Sequence, residues 1–155
     1  MKCKRVSALF AAVIFLFAFS IASFAQERSW PEAVDQYIAK VKPSVTIIDM
    51  EAFKKVVDNK GDAVILDVRE PDEFKSGYVP GAINLPRGVA EFKIWKLIAG
   101  YPAKMETNKK IYIYCALGGR SVLTAKALKD IGFTDVTAVN MKVADWIKAG
   151  YPVER

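Results

Sequence analysis

The stretch IYIYCALGGRS, residues 111–121, combines the features from which the fold of this protein can be predicted. A short apolar run ends at Cys115 and is followed by a loop of small residues, an arginine and a serine. Apolar side chains then recur at helical spacing over residues 121–131, and Gly132 stands where a helix should end. A strand, a tight loop and a helix in direct succession are typical of a parallel sheet.

The same alternation of strands and helices extends over most of the chain. Further strands are predicted at Val45–Ile48, Ala63–Val68, Ala82–Leu85 and Val136–Val139. Helices are predicted after the capping residue Asp49, over Ala90–Tyr101 with Phe92, Trp95, Leu97 and Ile98 as apolar positions, and over Ala144–Ala149. The pattern predicts the α/β class, with a central, mostly parallel sheet and helices on both faces, three layers in all.

The first 25 residues have the pattern of a signal peptide. A basic start, Met1–Arg5, precedes the apolar run Val6–Phe19, and Ser23-Phe24-Ala25 fits a small-x-small cleavage site. We expect cleavage after Ala25 and an exported, periplasmic protein. Retention as a membrane anchor is the alternative, because residues 6–25 approach the length of a spanning helix.

Residues 26–44 are predicted to form a helical arm that precedes a domain of residues 45–155. Ser29 suits the N-cap and Pro31 the first turn of this helix. Its apolar residues at helical spacing are Val34, Tyr37, Ile38 and Val41. We interpret the arm as a packing element, with binding of a partner as the alternative.

Composition excludes several classes of function. Loss of residues 1–25 removes three cations and lowers the formal net charge from +6 to +3, and the remaining basic residues are mixed with acids. We therefore expect no binding to nucleic acid. The pattern shows no metal-ligand cluster, and no cofactor is predicted. Without Cys3, Cys115 is unpaired, which excludes an internal disulfide and exchange through two cysteines.

Cys115 is the candidate reactive group. A cysteine needs help to form its thiolate, and the chain has no histidine to supply it. Backbone N–H groups of a loop curled by Gly118 and Gly119, the start of the following helix and the cation of Arg120 are the remaining devices. The alternative interpretation is a small buried cysteine beside an ordinary turn.

The length of the loop limits the anion that it can hold. Cysteine phosphatases place five residues between cysteine and arginine, whereas only four separate Cys115 from Arg120. A smaller cradle suits a thiolate with one added sulfur atom better than a tetrahedral phosphate. This spacing argues against a phosphatase and against a phosphatase-like arsenate reductase.

Residues 47–152 resemble a single-domain rhodanese, a sulfurtransferase. The resemblance rests on AVILDVREPDEF, GYVPGAINLP, IYIYCALGGRS, ALKDIGFTDV and WIKAGYPVE, in the order typical of the family. It implies a rhodanese-like fold and a persulfide on Cys115. It further implies that sulfur passes from an anionic donor, such as thiosulfate or polysulfide, to a thiol, cyanide or a partner protein.

The resemblance also implies roles for the residues around Cys115. The residues expected to bind substrate are Ala116, Leu117, Gly118, Gly119, Arg120, Ser121, Asp67 and Arg69. Asp67 and Arg69 would brace the loop and rim the site, although a structural salt bridge is an equally open interpretation. Glu73 is interpreted as structural. The chain departs from the family at Tyr78, and at Asn140-Met141, where the wall of the site is expected to differ.

Two further functions stay open at this stage. A sulfur carrier without fast turnover would use the same persulfide and the same residues. A phosphatase or arsenate reductase would need a larger loop. The uncharged side chains of Ala116 and Leu117 offer little attraction to a dianion, so the identity of the donor is open as well.

Overall fold

A five-stranded, all-parallel sheet forms the centre of the computed structural model, which describes residues 30–155. Its strands are β1 (Thr46–Asp49), β2 (Val64–Asp67), β3 (Ala82–Asn84), β4 (Ile111–Tyr114) and β5 (Val136–Asn140). They lie in the order β1-β5-β4-β2-β3. The predicted parallel sheet is therefore confirmed, and the chain segment that ends at Cys115 is its central strand.

Helices cover both faces of this sheet, as predicted. They are α1 (Glu32–Val41), α2 (Met50–Asp58), α3 (Pro71–Lys75), α4 (Ala90–Ile94), α5 (Gly119–Asp130) and α6 (Val143–Lys148). Val41 of α1, Ile94 of α4 and Val122 of α5 share one apolar cluster with the sheet. Phe53 of α2 and Trp146 of α6 belong to a second cluster. The three predicted layers follow from these two clusters.

The helix predicted over residues 90–101 differs in its shape and in its buried face. Its α-helical part ends at Ile94, and a π-helical turn, Trp95–Ala99, continues it to Gly100. The side chains that pack into the core are Ala90, Ile94, Ile98 and Ala99. Phe92 and Leu97, two of the apolar positions of the predicted helix, do not pack into the core, since they are 82% and 44% exposed.

The N-terminal helix begins later than predicted. It starts at Glu32 with Pro31 at the N-cap, without a side-chain cap, and Ser29 lies outside the described residues. Residues 31–155 form one compact unit that includes α1. The predicted signal peptide also lies outside the described residues, and no helix within 30–155 is long and apolar enough to cross a membrane.

Parallel strands bring their carboxyl ends to one edge of the sheet. The connection that leaves β2 leads to β3, on one side, whereas the connection that leaves β4 leads to β5, on the other. In open α/β sheets a ligand crevice forms at such a change of direction. Residues that follow β2 and β4 therefore flank the expected binding position.

Candidate active site

Cys115 follows β4 directly and lies at the bottom of a tight loop. Its side chain is buried, with 1% exposed. The backbone N–H of Gly118 donates a hydrogen bond to Sγ over 3.2 Å. Gly118 has φ +87°, a conformation that glycine adopts without strain and that turns the loop back towards the sulfur. The loop thus forms a cradle that holds the sulfur through the backbone of the loop.

The N-terminus of α5 completes this cradle. The helix begins at Gly119, two residues earlier than predicted, and has 12 residues. The first N–H groups of a helix have no acceptor within it. Among the hydrogen bonds of the described residues, none uses the N–H of Gly119, Arg120 or Ser121. These groups and the positive end of the helix dipole favour an anion at the loop.

Three contacts fix the loop to neighbouring elements. The hydroxyl of Ser121 lies 2.7 Å from the carbonyl oxygen of Gly118 and 3.1 Å from that of Val139, and its side chain is fully buried. The N–H of Val143, at the start of α6, donates to the carbonyl of Ala116 over 3.1 Å. These bonds hold the loop against β5 and α6, so its shape depends on both elements.

Gly118 is predicted to tolerate no other residue without loss of stability. A Cβ at this position would lie 3.1 Å from Oδ1 of Asn140, and φ +87° strains any residue that has a Cβ. We expect Gly118→Ala to lower the free energy of unfolding by about 2 kcal/mol, measured by urea denaturation. Gly132→Ala is the matched control, because Gly132 has φ +105° and open space around it. Equal losses in the two variants would contradict a role for Asn140.

Arg120 is held by Glu73 in a two-pronged ion pair. Nη1 and Nη2 donate to the two carboxylate oxygens of Glu73, each over 2.7 Å. Hydrogen bonds from Arg120 lower the pKa of Glu73. The pair is therefore intact at neutral pH. It is lost only as the pH falls below 4.5, the ordinary pKa of a glutamate. Glu73 is the main cause that raises the pKa of Arg120, and the nearby Cys115 adds to it. The charge of the guanidinium is thus neutralised by the carboxylate of Glu73.

The role of Glu73 was not evident from the sequence. Forty-seven positions separate it from Arg120. Its second role is local, because its carboxylate also accepts the N–H of Glu70 in a capping box at the start of α3. Only that local role has a signal in the sequence, namely an acid three residues after the cap. The structural interpretation of Glu73 was therefore incomplete, since the residue also neutralises the cation of the loop.

Asp67 and Arg69 form a buried ion pair at the end of β2. Asp67 is fully buried and Arg69 is 4% exposed. Nη2 of Arg69 donates to Asp67 over 2.6 Å and to the carbonyl of Gly77 over 2.8 Å. The side-chain amide of Asn84 donates to the carbonyls of both residues. The ion pair therefore holds the end of β2, and the amide of Asn84 joins the end of β3 to it.

The hydroxyl of Tyr114 belongs to the same buried region. It accepts the N–H of Val79 over 3.1 Å. Burial, reinforced by the carboxylate of Asp67, raises the pKa of Tyr114, so the phenol stays protonated. The guanidinium of Arg69 lies 5.8 Å from the centroid of the Tyr114 ring, so the ion pair contacts β4 one residue before Cys115.

The predicted site residues fall into two groups. Cys115 and residues 116–120 form the loop, in which the N–H of Gly118 contacts the sulfur and the side chain of Leu117 is 51% exposed. The side chains of Ser121, Asp67 and Arg69 are buried and hydrogen bonded to protein groups. That these three bind substrate stays a prediction, whereas their contacts support the shape of the loop and the strand end beside it.

The chain is similar in sequence to proteins named as a sulfur carrier and as a sulfurtransferase. The "Putative sulfur carrier protein YrkF" of Bacillus subtilis is 36% identical over 103 residues, 66% of this chain. This chain covers 51% of YrkF, about half of its length. "Thiosulfate sulfurtransferase 16, chloroplastic" of Arabidopsis thaliana is 33% identical over 93 residues, 57% of this chain and 78% of that protein.

Solved structures show the same fold. A Rhodopseudomonas palustris protein of unknown function, described as "Possible Tyrosine Phosphatase", superposes with a TM-score of 0.68 at 27% identity, covering 82% of this chain and 98% of that one. The thiosulfate sulfurtransferase of Pseudomonas aeruginosa gives 0.65 at 21% identity, covering 81% of this chain and 23% of that one. This second likeness concerns the fold alone.

The family model of the rhodanese-like domain matches residues 49–149. This range begins at the end of β1 and reaches the end of α6, so it contains β2 to β5 and the whole Cys115 loop. The match agrees with the relatives named as a sulfurtransferase and as a sulfur carrier. With most of its length in this match, the chain belongs to the rhodanese-like family.

Proposed function

We propose that this protein is a sulfurtransferase that carries a sulfane sulfur as a persulfide on Cys115. The observation that carries the proposal is the position of Sγ, 3.2 Å from the N–H of Gly118 and beside the first turn of α5. A thiolate is favoured by such donors, and so is the terminal sulfur of a persulfide. The cradle would serve both states of the cysteine.

The reaction consists of two displacements at sulfur. The Cys115 thiolate attacks the outer sulfur of a donor such as thiosulfate, the bond between the sulfurs of the donor breaks, and sulfite leaves with the electron pair. An acceptor, which is cyanide, a small thiol or a cysteine of a partner protein, then attacks the outer sulfur of the persulfide. The Cys115 thiolate is released in this second step, so the protein returns to its starting state.

Two features favour this chemistry over hydrolysis of a phosphate ester. Cys115 is 1% exposed, so the transferred atom must be a terminal sulfur that fits into the cradle. The loop has four residues between cysteine and arginine, one fewer than in cysteine phosphatases. The Rhodopseudomonas palustris protein is described as a possible phosphatase. For this chain, the length of the Cys115 loop carries more weight than that description.

A sulfur carrier is the second candidate function. The name of YrkF, the relative at 36% identity, favours it. A carrier would load one sulfur per chain and release it only to a dedicated partner. The cradle suits this role equally well, so the two candidates differ in turnover and not in the loaded state.

We also propose that the protein works outside the cytoplasm. The proposal rests on the basic and apolar pattern of residues 1–25 and on the predicted cleavage after Ala25. Cell fractionation with mass analysis of the N-terminus tests it. A periplasmic chain that starts at Gln26 is expected, and a cytoplasmic chain that still starts at Met1 would contradict it.

Intact-mass spectrometry tests the persulfide directly. The purified protein is incubated with thiosulfate, polysulfide or a thiosulfonate, and one added sulfur, about 32 Da, is expected. Cyanide should remove the added mass and form thiocyanate. Repeated turnover with thiosulfate and cyanide supports an enzyme, and a single equivalent of thiocyanate supports a carrier. No added sulfur from any donor would overturn both.

Arg120 and Glu73 are predicted to act as one unit. We expect Arg120→Ala to lower kcat/KM for sulfur transfer roughly 10-fold to 100-fold, because one charged donor is lost while the backbone amides remain. Glu73→Ala should lower it less, and the double variant should be no worse than Arg120→Ala. Steady-state kinetics of the three variants measure this coupling. Additive losses would show that Glu73 acts independently of Arg120.

A further inference from the structure

The N-terminal helix lies along the helix that starts at the Cys115 loop. Ile38 of α1 packs against Gly119, where an added Cβ would lie 2.8 Å from Cδ1 of Ile38. Further along, Nζ of Lys129 donates to the carbonyl of Ser44 over 2.9 Å. From the first contact to the second, the residue number rises in both segments, from 38 to 44 in one and from 119 to 129 in the other. The two helices α1 and α5 therefore run in the same direction. The start of α1 therefore lies towards the edge of the sheet where the strands end and where the Cys115 loop begins.

The apolar stripe of α1 becomes more exposed towards this edge. Val41 is 8% exposed and Ile38 is half-buried, whereas Val34 is 39% exposed and Tyr37 is 57% exposed. These positions share a face because they are three or four residues apart. Val34 lies about one turn, ~5.4 Å along the axis, before Ile38. Since Ile38 is level with the first residue of α5, Val34 lies beyond the end of that helix, where the loop begins.

The loop presents an apolar residue of its own at this level. Leu117 is 51% exposed, and its neighbour Ala116 is also uncharged. The cation of the loop, Arg120, is paired with Glu73. The loop and the start of α1 therefore present the apolar side chains of Leu117, Val34 and Tyr37 to a molecule that approaches Cys115. The first turn of α1 also carries the acidic residues Glu32 and Asp35.

We propose that Val34, Tyr37 and Leu117 form an apolar rim that selects sulfur donors with an apolar group next to the transferred sulfur. The inference rests on the proposed function, because it assigns the substrate class of the same site. The group that contacts the rim is the apolar part of the donor, next to the sulfur that is transferred. Only its terminal sulfur fits into the cradle, and the rest of the molecule must extend outwards over the loop. Because α1 lies outside the matched residues 49–149, Val34 and Tyr37 supply a part of this rim that the matched domain does not contain.

Benzenethiosulfonate and methanethiosulfonate are the probes. Both are monoanions with the same reacting group and differ in the apolar group beside it. In each case the Cys115 thiolate takes the outer sulfur and the sulfinate leaves with the electron pair. The measured quantity is the ratio of kcat/KM for the two donors, with cyanide as acceptor. If the protein proves to be a carrier, the ratio of second-order rates of persulfide formation replaces it.

The rim is tested by Tyr37→Ser and Leu117→Ser, singly and together. We expect the double variant to lower the benzene-to-methane ratio about 5-fold to 10-fold, because part of the phenyl surface stays in water. Met105→Ser is the matched control, since Met105 is 65% exposed and lies in the segment that enters β4, at the opposite edge of the sheet. Its ratio should equal that of the wild type.

The outcomes separate this inference from the proposed function. An unchanged ratio in the double variant, or an equal fall in Met105→Ser, overturns the rim and leaves sulfur transfer intact. A wild-type protein that takes no sulfur from either donor or from thiosulfate overturns the proposed function itself. A fall in the rates for both donors by the same factor also overturns the rim, because it reports damage to the loop without selectivity.

Discussion

Cys115→Ser should abolish sulfur transfer, with a loss of at least about 1000-fold in kcat/KM for any donor. Serine matches the shape of cysteine closely, so the hydrogen bond from Gly118 can persist. Its hydroxyl, however, is far less acidic than a thiol and is a poor nucleophile towards sulfur. No other cysteine lies between residues 4 and 155, so no second group can take over the sulfur.

The variant is checked by mass spectrometry and by the rate of thiocyanate formation. We expect neither added sulfur nor thiocyanate above the uncatalysed rate. The free energy of unfolding should change little, because one buried atom of similar size is replaced. Residual transfer close to that of the wild type would mean that the sulfur is carried elsewhere, and the cradle would then have no chemical role.

Asp67→Ala should give a large loss of stability, about 3 to 5 kcal/mol in the free energy of unfolding. Asp67 is fully buried and is bonded to Nε and Nη2 of Arg69 at 2.9 Å and 2.6 Å. Removal of the carboxylate leaves a buried guanidinium whose remaining acceptor among the described residues is the carbonyl of Gly77. A buried charge without its partner is costly, which is the reason for the size of the effect.

Urea denaturation measures this loss, and Asp58→Ala provides the control. Asp58 pairs with Lys54 at 2.6 Å, a short distance like that of the buried pair, but its side chain is 48% exposed. Exposed pairs of this kind contribute about 0.3 to 0.5 kcal/mol. A loss in Asp67→Ala as small as that in Asp58→Ala would show that water reaches Arg69 and that the pair does not fix the strand end.

Local patterns were sufficient to predict the strands and most of the helices. The run at residues 63–68 and the stretch 111–121 each carry their signal within a few neighbouring residues, because strand and helix periods are local properties. The buried face of the helix over residues 90–99 could not be predicted in the same way. Phe92 and Leu97 are apolar but exposed, and only the packing of Ile94 and Ile98 against the sheet decides which face is buried.

The candidate site was predictable in its centre and less so in its surroundings. Cys115, the turn at Gly118 and the start of a helix are contiguous, so the cradle can be inferred from one stretch of the chain. The partner of Arg120 is 47 positions away, and the contact between Ile38 and Gly119 joins residues even further apart. No periodicity or spacing in the sequence relates such residues to each other.

The sequence by itself determined the alternation of strands and helices, the unpaired cysteine and a loop that suits a small anion. The tertiary structure decided that Glu73 neutralises Arg120, that Asp67 and Arg69 form a buried pair, and that α1 reaches the level of the loop. The physical reason is the range of the interactions. Conformational preferences act between neighbours along the chain, whereas charge pairing and burial depend on which elements the sheet order β1-β5-β4-β2-β3 brings together.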